Sequence, residues 1–139
     1  SKKTNLVCLS DDSGLEIDLL NGAPGIYSSR WAGNKNNFDE AIQKVFKEMS
    51  KIKKDWKRKN AAKFICCMTL FWPDGLNYSS TGVVKGKISA EKRGNNGFGY
   101  DPIFIPDGFD RTFGEMKPKL KMSIDHRFKA FIKMKKFFN

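Results

Sequence analysis

The sequence predicts an α/β domain. Two observations carry that expectation. Residues 61–72 and 78–91 read as a long pair of strands joined by the turn Pro73-Asp74-Gly75. Two other segments, one after Asn37 and one after Asp125, place apolar residues at helical spacing. With 139 residues there is room for one domain, residues 1–139, and for a real core of limited size.

The elements follow in order. Residues 6–9 read as a short buried strand ending at Ser10-Asp11-Asp12. Residues 15–19 alternate and read as a second strand, with Gly14 bending the chain between the two. Asn21-Gly22-Ala23-Pro24-Gly25 is turn chemistry. Asn37 is placed to cap a helix, and Glu40 to complete a capping box. Phe38, Ile42, Val45, Phe46 and Met49 give that helix one apolar face, ending near Ser50. The first strand of the long pair is apolar on both alternations, which suits a strand covered on both faces. Its return strand carries Gly82 and Gly86 as expected bulges. Residues 93–99 form a loop rich in glycine and asparagine, and 103–105 another short strand. The last helix would bury Phe128, Phe131, Ile132, Met134 and Phe138 and wet Lys129, Lys133 and Lys136.

Composition narrows the function classes. A hydrophobic content of 40% with 12 Phe and 3 Trp is that of a globular chain, not a disordered one. No apolar run approaches the roughly 20 residues of a membrane helix. The three cysteines, Cys8, Cys66 and Cys67, include an adjacent pair and no C-x-x-C, so they suit buried thiols in a reducing cytoplasm better than disulfides or zinc. Net charge is +11, concentrated in residues 44–63, with nine basic residues, and 117–136, with eight. A basic surface attracts polyanions, so a nucleic-acid-binding module is one reading. A solvated lysine face that steers a charged substrate is the other, and the preferred one.

Three places could carry chemistry. Asp11-Asp12-Ser13-Gly14 sets two carboxylates at a strand end, where alternation sends only one into a cleft. Such a carboxylate can hold Mg2+ or take a proton from an attacking water. Gly97-Phe98-Gly99-Tyr100-Asp101-Pro102 offers close backbone approach and rings able to stack on a base, or a tight loop whose aromatics join the core. Lys121, His126 and Arg127 offer donors to a carbonyl or a phosphate, although a lone histidine at a helix start is ordinary. Glu115 and Asp125 read as capping residues. The motif of a P-loop, a G-x-S-x-G elbow and H-E-x-x-H are all absent.

In order, these segments resemble the inosine/xanthosine triphosphate pyrophosphatases, the Ham1-like family. The matching stretches run from Asp11-Asp12-Ser13-Gly14-Leu15-Glu16-Ile17-Asp18 through Leu20-Asn21-Gly22-Ala23-Pro24-Gly25-Ile26-Tyr27-Ser28-Ser29-Arg30-Trp31-Ala32-Gly33. They resume at Gly97-Phe98-Gly99-Tyr100-Asp101-Pro102-Ile103-Phe104, Thr112-Phe113-Gly114-Glu115-Met116 and Lys121-Met122-Ser123-Ile124-Asp125-His126-Arg127. The resemblance implies a long mixed sheet flanked by helices, an anticodon-binding-like core, a cleft between two lobes and a cytoplasmic homodimer. It implies Mg2+-dependent hydrolysis of ITP, dITP or XTP to the monophosphate and pyrophosphate. Asp12 would be general base and Mg2+ ligand, and Ser13 would touch the substrate. Phe98, Gly99, Tyr100 and Asp101 would shape the base pocket, and Lys121, His126 and Arg127 would complete it. The family's Ser-His-Arg is here Asp125-His126-Arg127, and its Thr-Phe-Ala-Glu-Met is Thr112-Phe113-Gly114-Glu115-Met116. The family opens with a strand, a Thr-x-Asn-x-x-Lys loop that grips the triphosphate, and a helix bearing an acidic metal ligand. The chain, starting at Ser1, reads as the interior of a longer protein without that opening third. On this reading the 139 residues alone turn over weakly or not at all.

Overall fold

The computed structural model describes residues 1–138. Its centre is a four-stranded sheet in the order β1-β2-β3-β4. The strands are β1 (Cys8–Ile17), β2 (Ala61–Phe71), β3 (Asn77–Ile88) and β4 (Phe104–Pro106). Every pairing among the described residues is antiparallel, which corrects the mixed sheet that the resemblance implies. The helices are α1 (Phe38–Ile52), α2 (Pro118–Ile124) and α3 (His126–Met134). The α/β expectation holds, as do the long hairpin and its turn, where Leu76 N donates to Asp74 Oδ1 at 2.9 Å.

One register governs the sheet. Leu15 pairs with Phe64, which pairs with Val84, and all are buried. Ile17 and Ile88 join them on the same face, with Ala41, Ile42, Val45 and Met49 of α1 above. On the opposite face Lys63, Ile65 and Cys67 stay partly or fully exposed. So β2 is covered on one face only, contrary to its apolar pattern. Cys67 is exposed and only Cys66 is buried, which corrects the expectation of three buried thiols.

Three further expectations change. β1 is one unbroken strand from Cys8 to Ile17, paired along its whole length with β2. Gly14 makes no bend; a side chain there would strike the Gly25 carbonyl, because the 25–28 turn crosses directly over it. Gly82 and Gly86 are not bulges, since they pair in register with Cys66 and Ala62. A Cβ at Gly82 would meet the His126 carbonyl and Ala130 N, so the glycine lets α3 approach β3. At α3 the buried residues are His126, Ala130 and Met134, while Phe128, Phe131, Ile132 and Phe138 are exposed. Lys129 and Lys133 reach back to donate to the carbonyls of Val83 and Thr81, capping the part of β3 that β4 leaves unpaired.

Helix α1 behaves as its sequence reads. Asn37 Oδ1 accepts from Glu40 N at 3.4 Å and Asn37 Nδ2 donates to Glu40 Oε1 at 2.8 Å. The helix runs to Ile52, two residues past the expected end. Buried Trp56 then folds back, stacking on Phe46 at 5.8 Å and donating to Ser50 Oγ.

Candidate functional site

β1 carries the first part of the site. Strand alternation puts Asp11, Ser13, Leu15 and Ile17 on the helix-covered face, and Asp12, Gly14 and Glu16 on the open face. The two carboxylates are therefore divided between the faces. Asp11 Oδ2 accepts from Arg127 Nε at 2.9 Å. Asp12 is exposed and lies with Glu16, Ile26 and Cys67 along a second, shallower depression.

The glycine-rich loop carries the second part. It is pinned by backbone bonds from Asn96 N to Gly114 O and from Gly114 N to Asp101 O, both at 2.9 Å. Gly97 has φ 72°, and any side chain there would strike the Asp101 carboxylate. The two rings part company. Phe98 is 61% exposed over the site, as a stacking platform requires. Tyr100 is buried edge-on against Phe38, its hydroxyl donating to Ser28 O at 2.7 Å. Burial raises the Tyr100 hydroxyl well above its ordinary pKa. Tyr100 thus fits the core alternative for this loop, and Phe98 the ligand one.

The start of α3 carries the third part. Asp125 caps the helix, accepting from Phe128 N at 2.8 Å. His126 lies flat on Phe64, with ring centroids 4.7 Å apart. Burial, helped by the Arg127 charge, lowers its pKa to about 4, so the imidazole is neutral at pH 7. Its Nδ1 is buried without a partner among the described residues. The Lys121 ammonium is nearly buried, 3.1 Å from Asp101 Oδ2 and 3.7 Å from Asp125 Oδ2. Burial raises the Asp101 carboxyl, and Lys121 opposes it. Asp101 also accepts from Phe98 N at 3.0 Å, so it holds the Phe98 loop in place. Glu115 braces its own turn through Thr112 N, at 2.8 Å, and Arg93, in keeping with a structural role.

These parts meet in one cavity of about 210 Å3. Asp11, Asp12, Ser13, Phe98, Gly99, Tyr100, Asp101, His126 and Arg127 all line it, and Lys121 stands behind Asp101. Because β1 is an edge strand, both carboxylates border the cavity from their two faces, not one as alternation implied. The volume suits a flat bicyclic ring and falls short of the roughly 300–1,000 Å3 of sites that enclose larger ligands. Sequence reasoning missed Ser28, Ser29, Phe38 and Phe64 on the wall. Ser28 ties the strand to the loops: its Oγ accepts from Leu15 N at 2.9 Å and donates to Gly25 O at 2.6 Å. Ser28 and Ser29 stand in a stretch that resembles the Ham1 family, but nothing local marks them as wall residues. No group of three or more His, Cys, Asp or Glu among the described residues is placed to hold a metal.

Comparison with known proteins now bears on the site. The model of the Ham1 family matches residues 1–137. The chain belongs to the Ham1 family. A dITP/XTP pyrophosphatase of Rhodospirillum centenum is 44% identical over 128 residues, covering 92% of this chain and 62% of that protein. One from Zymomonas mobilis is 44% identical, covering 94% of this chain and 62% of its own length. The solved Ham1 protein of Coxiella burnetii superposes with a TM-score of 0.90 at 39% identity, covering 99% of this chain and 69% of the other. The chain thus spans a little under two thirds of those curated relatives. All the motifs that carried the Ham1 resemblance, except Thr112–Met116 and the residues around Met122, contribute to the cavity wall.

Proposed function

We propose that this chain belongs to an enzyme that hydrolyses aberrant purine nucleoside triphosphates, ITP, dITP or XTP, to the monophosphate and pyrophosphate. The observation that carries the reading is the single cavity uniting Asp12, Phe98 and His126 from segments far apart in sequence. The relatives named dITP/XTP pyrophosphatase support it. In this reading residues 1–139 act as one domain of a cytoplasmic homodimer.

The chemistry follows from the residues. Phe98 stacks on the purine. Neutral His126, with its orphaned Nδ1, and the Lys121 and Arg127 cations offer donors to a six-position carbonyl. Adenine's amino group there would leave those donors facing another donor, which penalises ATP. Ser13 touches the substrate beside the strand. Asp12, exposed and on the open face, takes the proton from the attacking water. The water oxygen bonds to phosphorus, and pyrophosphate leaves with the electrons of the broken P–O bond. The donor set fits Mg2+ as an ion bound mainly by phosphates and water, with Asp12 as its one carboxylate here. Bound there, Mg2+ would neutralise charge on the phosphates.

Thermal denaturation tests the reading. With an opening segment of the family's type restored ahead of residue 1, ITP with Mg2+ should raise the melting temperature more than ATP with Mg2+ at equal concentration. Equal shifts would refute it. The net charge of +11 supports a second reading, a nucleic-acid-binding module, which predicts oligonucleotide binding that weakens steeply with salt.

A further inference from the structure

We propose that Asp11 is a positioning residue: it holds the Arg127 guanidinium over Phe98 at the cavity mouth, leaving Asp12 alone to serve the open face. For its ligand the inference rests on the purine reading above. For its contact it stands on geometry. Arg127 Nε meets Asp11 Oδ2 at 2.9 Å, across 116 residues of sequence. The same guanidinium carbon lies 5.2 Å from the centre of the Phe98 ring. Its Nη1 lies 3.4 Å from His126 Nε2. One arginine thus touches all three parts of the site.

Stability does not explain the pair. Both side chains keep a third or more of their surface in water, 34% and 41%, and such pairs contribute little to folding. Pinning explains it better. A free arginine side chain has much rotamer entropy to lose on binding a ligand. Asp11 removes that freedom beforehand by occupying Nε, and His126 takes one N–H of Nη1, so Nη2 and the other N–H of Nη1 remain for a carbonyl or anion. Phe98 is still 61% exposed with the guanidinium in place, so the cavity stays open to a base. The other cleft-side carboxylates are committed elsewhere, since Asp101 and Asp125 both face Lys121. This accounts for an adjacent Asp pair as two jobs on two faces of one strand.

The test is NMR of the 139-residue chain, using inosine as the probe because it carries the base without phosphates. In the free chain, Asp11→Asn should move the Arg127 Nε–H signal to the position of a solvated arginine, and Asp11→Glu should bring it part of the way back. Inosine should bind about fivefold more weakly to Asp11→Asn than to the parent. In an Arg127→Gln background, Asp11→Asn should change inosine binding no further, because the partner is gone. The inference is overturned by an unmoved Arg127 signal, by unchanged inosine binding, or by an equal loss in both backgrounds. Should the parent bind no inosine at all, the purine reading fails. Asp11 is then judged by the Arg127 signal alone, retained if the substitution releases it and rejected if not.

Discussion

At the scale of single residues, exposure decides what each aromatic can do. Phe98 spends 61% of its surface on solvent, so its removal costs the fold little. Stacking on a base is worth about 1–3 kcal/mol. Phe98→Ala should therefore weaken purine binding about tenfold by calorimetry, with the melting temperature unchanged; a large melting shift would make Phe98 a core residue instead. His126 is the opposite case. It is 1% exposed, and its pKa falls from 6.5 to about 4. In the unfolded chain it takes a proton near pH 6.5, while the folded chain resists until about pH 4. Its contribution is thus fully present above pH 6.5 and is lost as pH falls toward 4, in all on the order of 3 kcal/mol. Asp101 acts the other way, since burial raises its carboxyl and the folded state takes that proton first. The His126 share is isolated by comparing urea midpoints of the parent and His126→Gln from pH 7 to 4. The parent should fall more steeply, and parallel curves would contradict a buried neutral imidazole. The sequence shows His126 as an ordinary helix-start histidine, because its burial comes from Phe64, 62 residues away in a strand whose facing cannot be read locally.

Among the elements, what was legible is what local chemistry determines. The cap of α1, the Pro73-Asp74-Gly75 turn and the β2–β3 pair follow from nearby residues alone. The facing of α3 does not. Its larger apolar residues, Phe128, Phe131 and Ile132, make the stronger helical stripe, yet the helix buries His126, Ala130 and Met134. Gly82 decides the matter. The helix backbone approaches β3 so closely there that only small side chains fit between, and Ala130 is the one that faces it. Ser80 then donates to Ala130 O at 2.9 Å. The glycine read as a bulge was in truth a contact surface, and a contact 40 or more residues away leaves no periodic signature. Gly82→Ala should thus force α3 outward and cost about 1–3 kcal/mol in urea unfolding. Because His126 and Arg127 begin that helix, purine binding should fall with it. A neutral Gly82→Ala would mean the helix is not seated as described.

For the molecule as a whole, two forces pull against each other. The sheet is covered on one face only, the turn 22–28 meets the outer edge of β1 only at Leu15, Glu16 and Ile17 among the described residues, and α3 turns Phe128, Phe131 and Ile132 to solvent. Apolar surface of that kind favours association. The net charge of +11 opposes it, with seven lysines and arginines of residues 117–136 exposed or half-exposed and the one acid there, Asp125, buried. Repulsion between like-charged chains is long-ranged and screened by salt, with a Debye length of about 10 Å at 0.1 M and about 3 Å at 1 M. Apolar contact is short-ranged and does not weaken in that way. Adding salt should therefore promote association of the 139-residue chain, read as a rise in mean mass by light scattering. A double substitution, Phe131→Gln with Ile132→Gln, should flatten that rise without lowering the melting temperature, because both residues lie on the solvent side of α3. A mass independent of salt, or a rise that survives the double substitution, would place the association elsewhere, with the outer edge of β1 as the surface left to carry it.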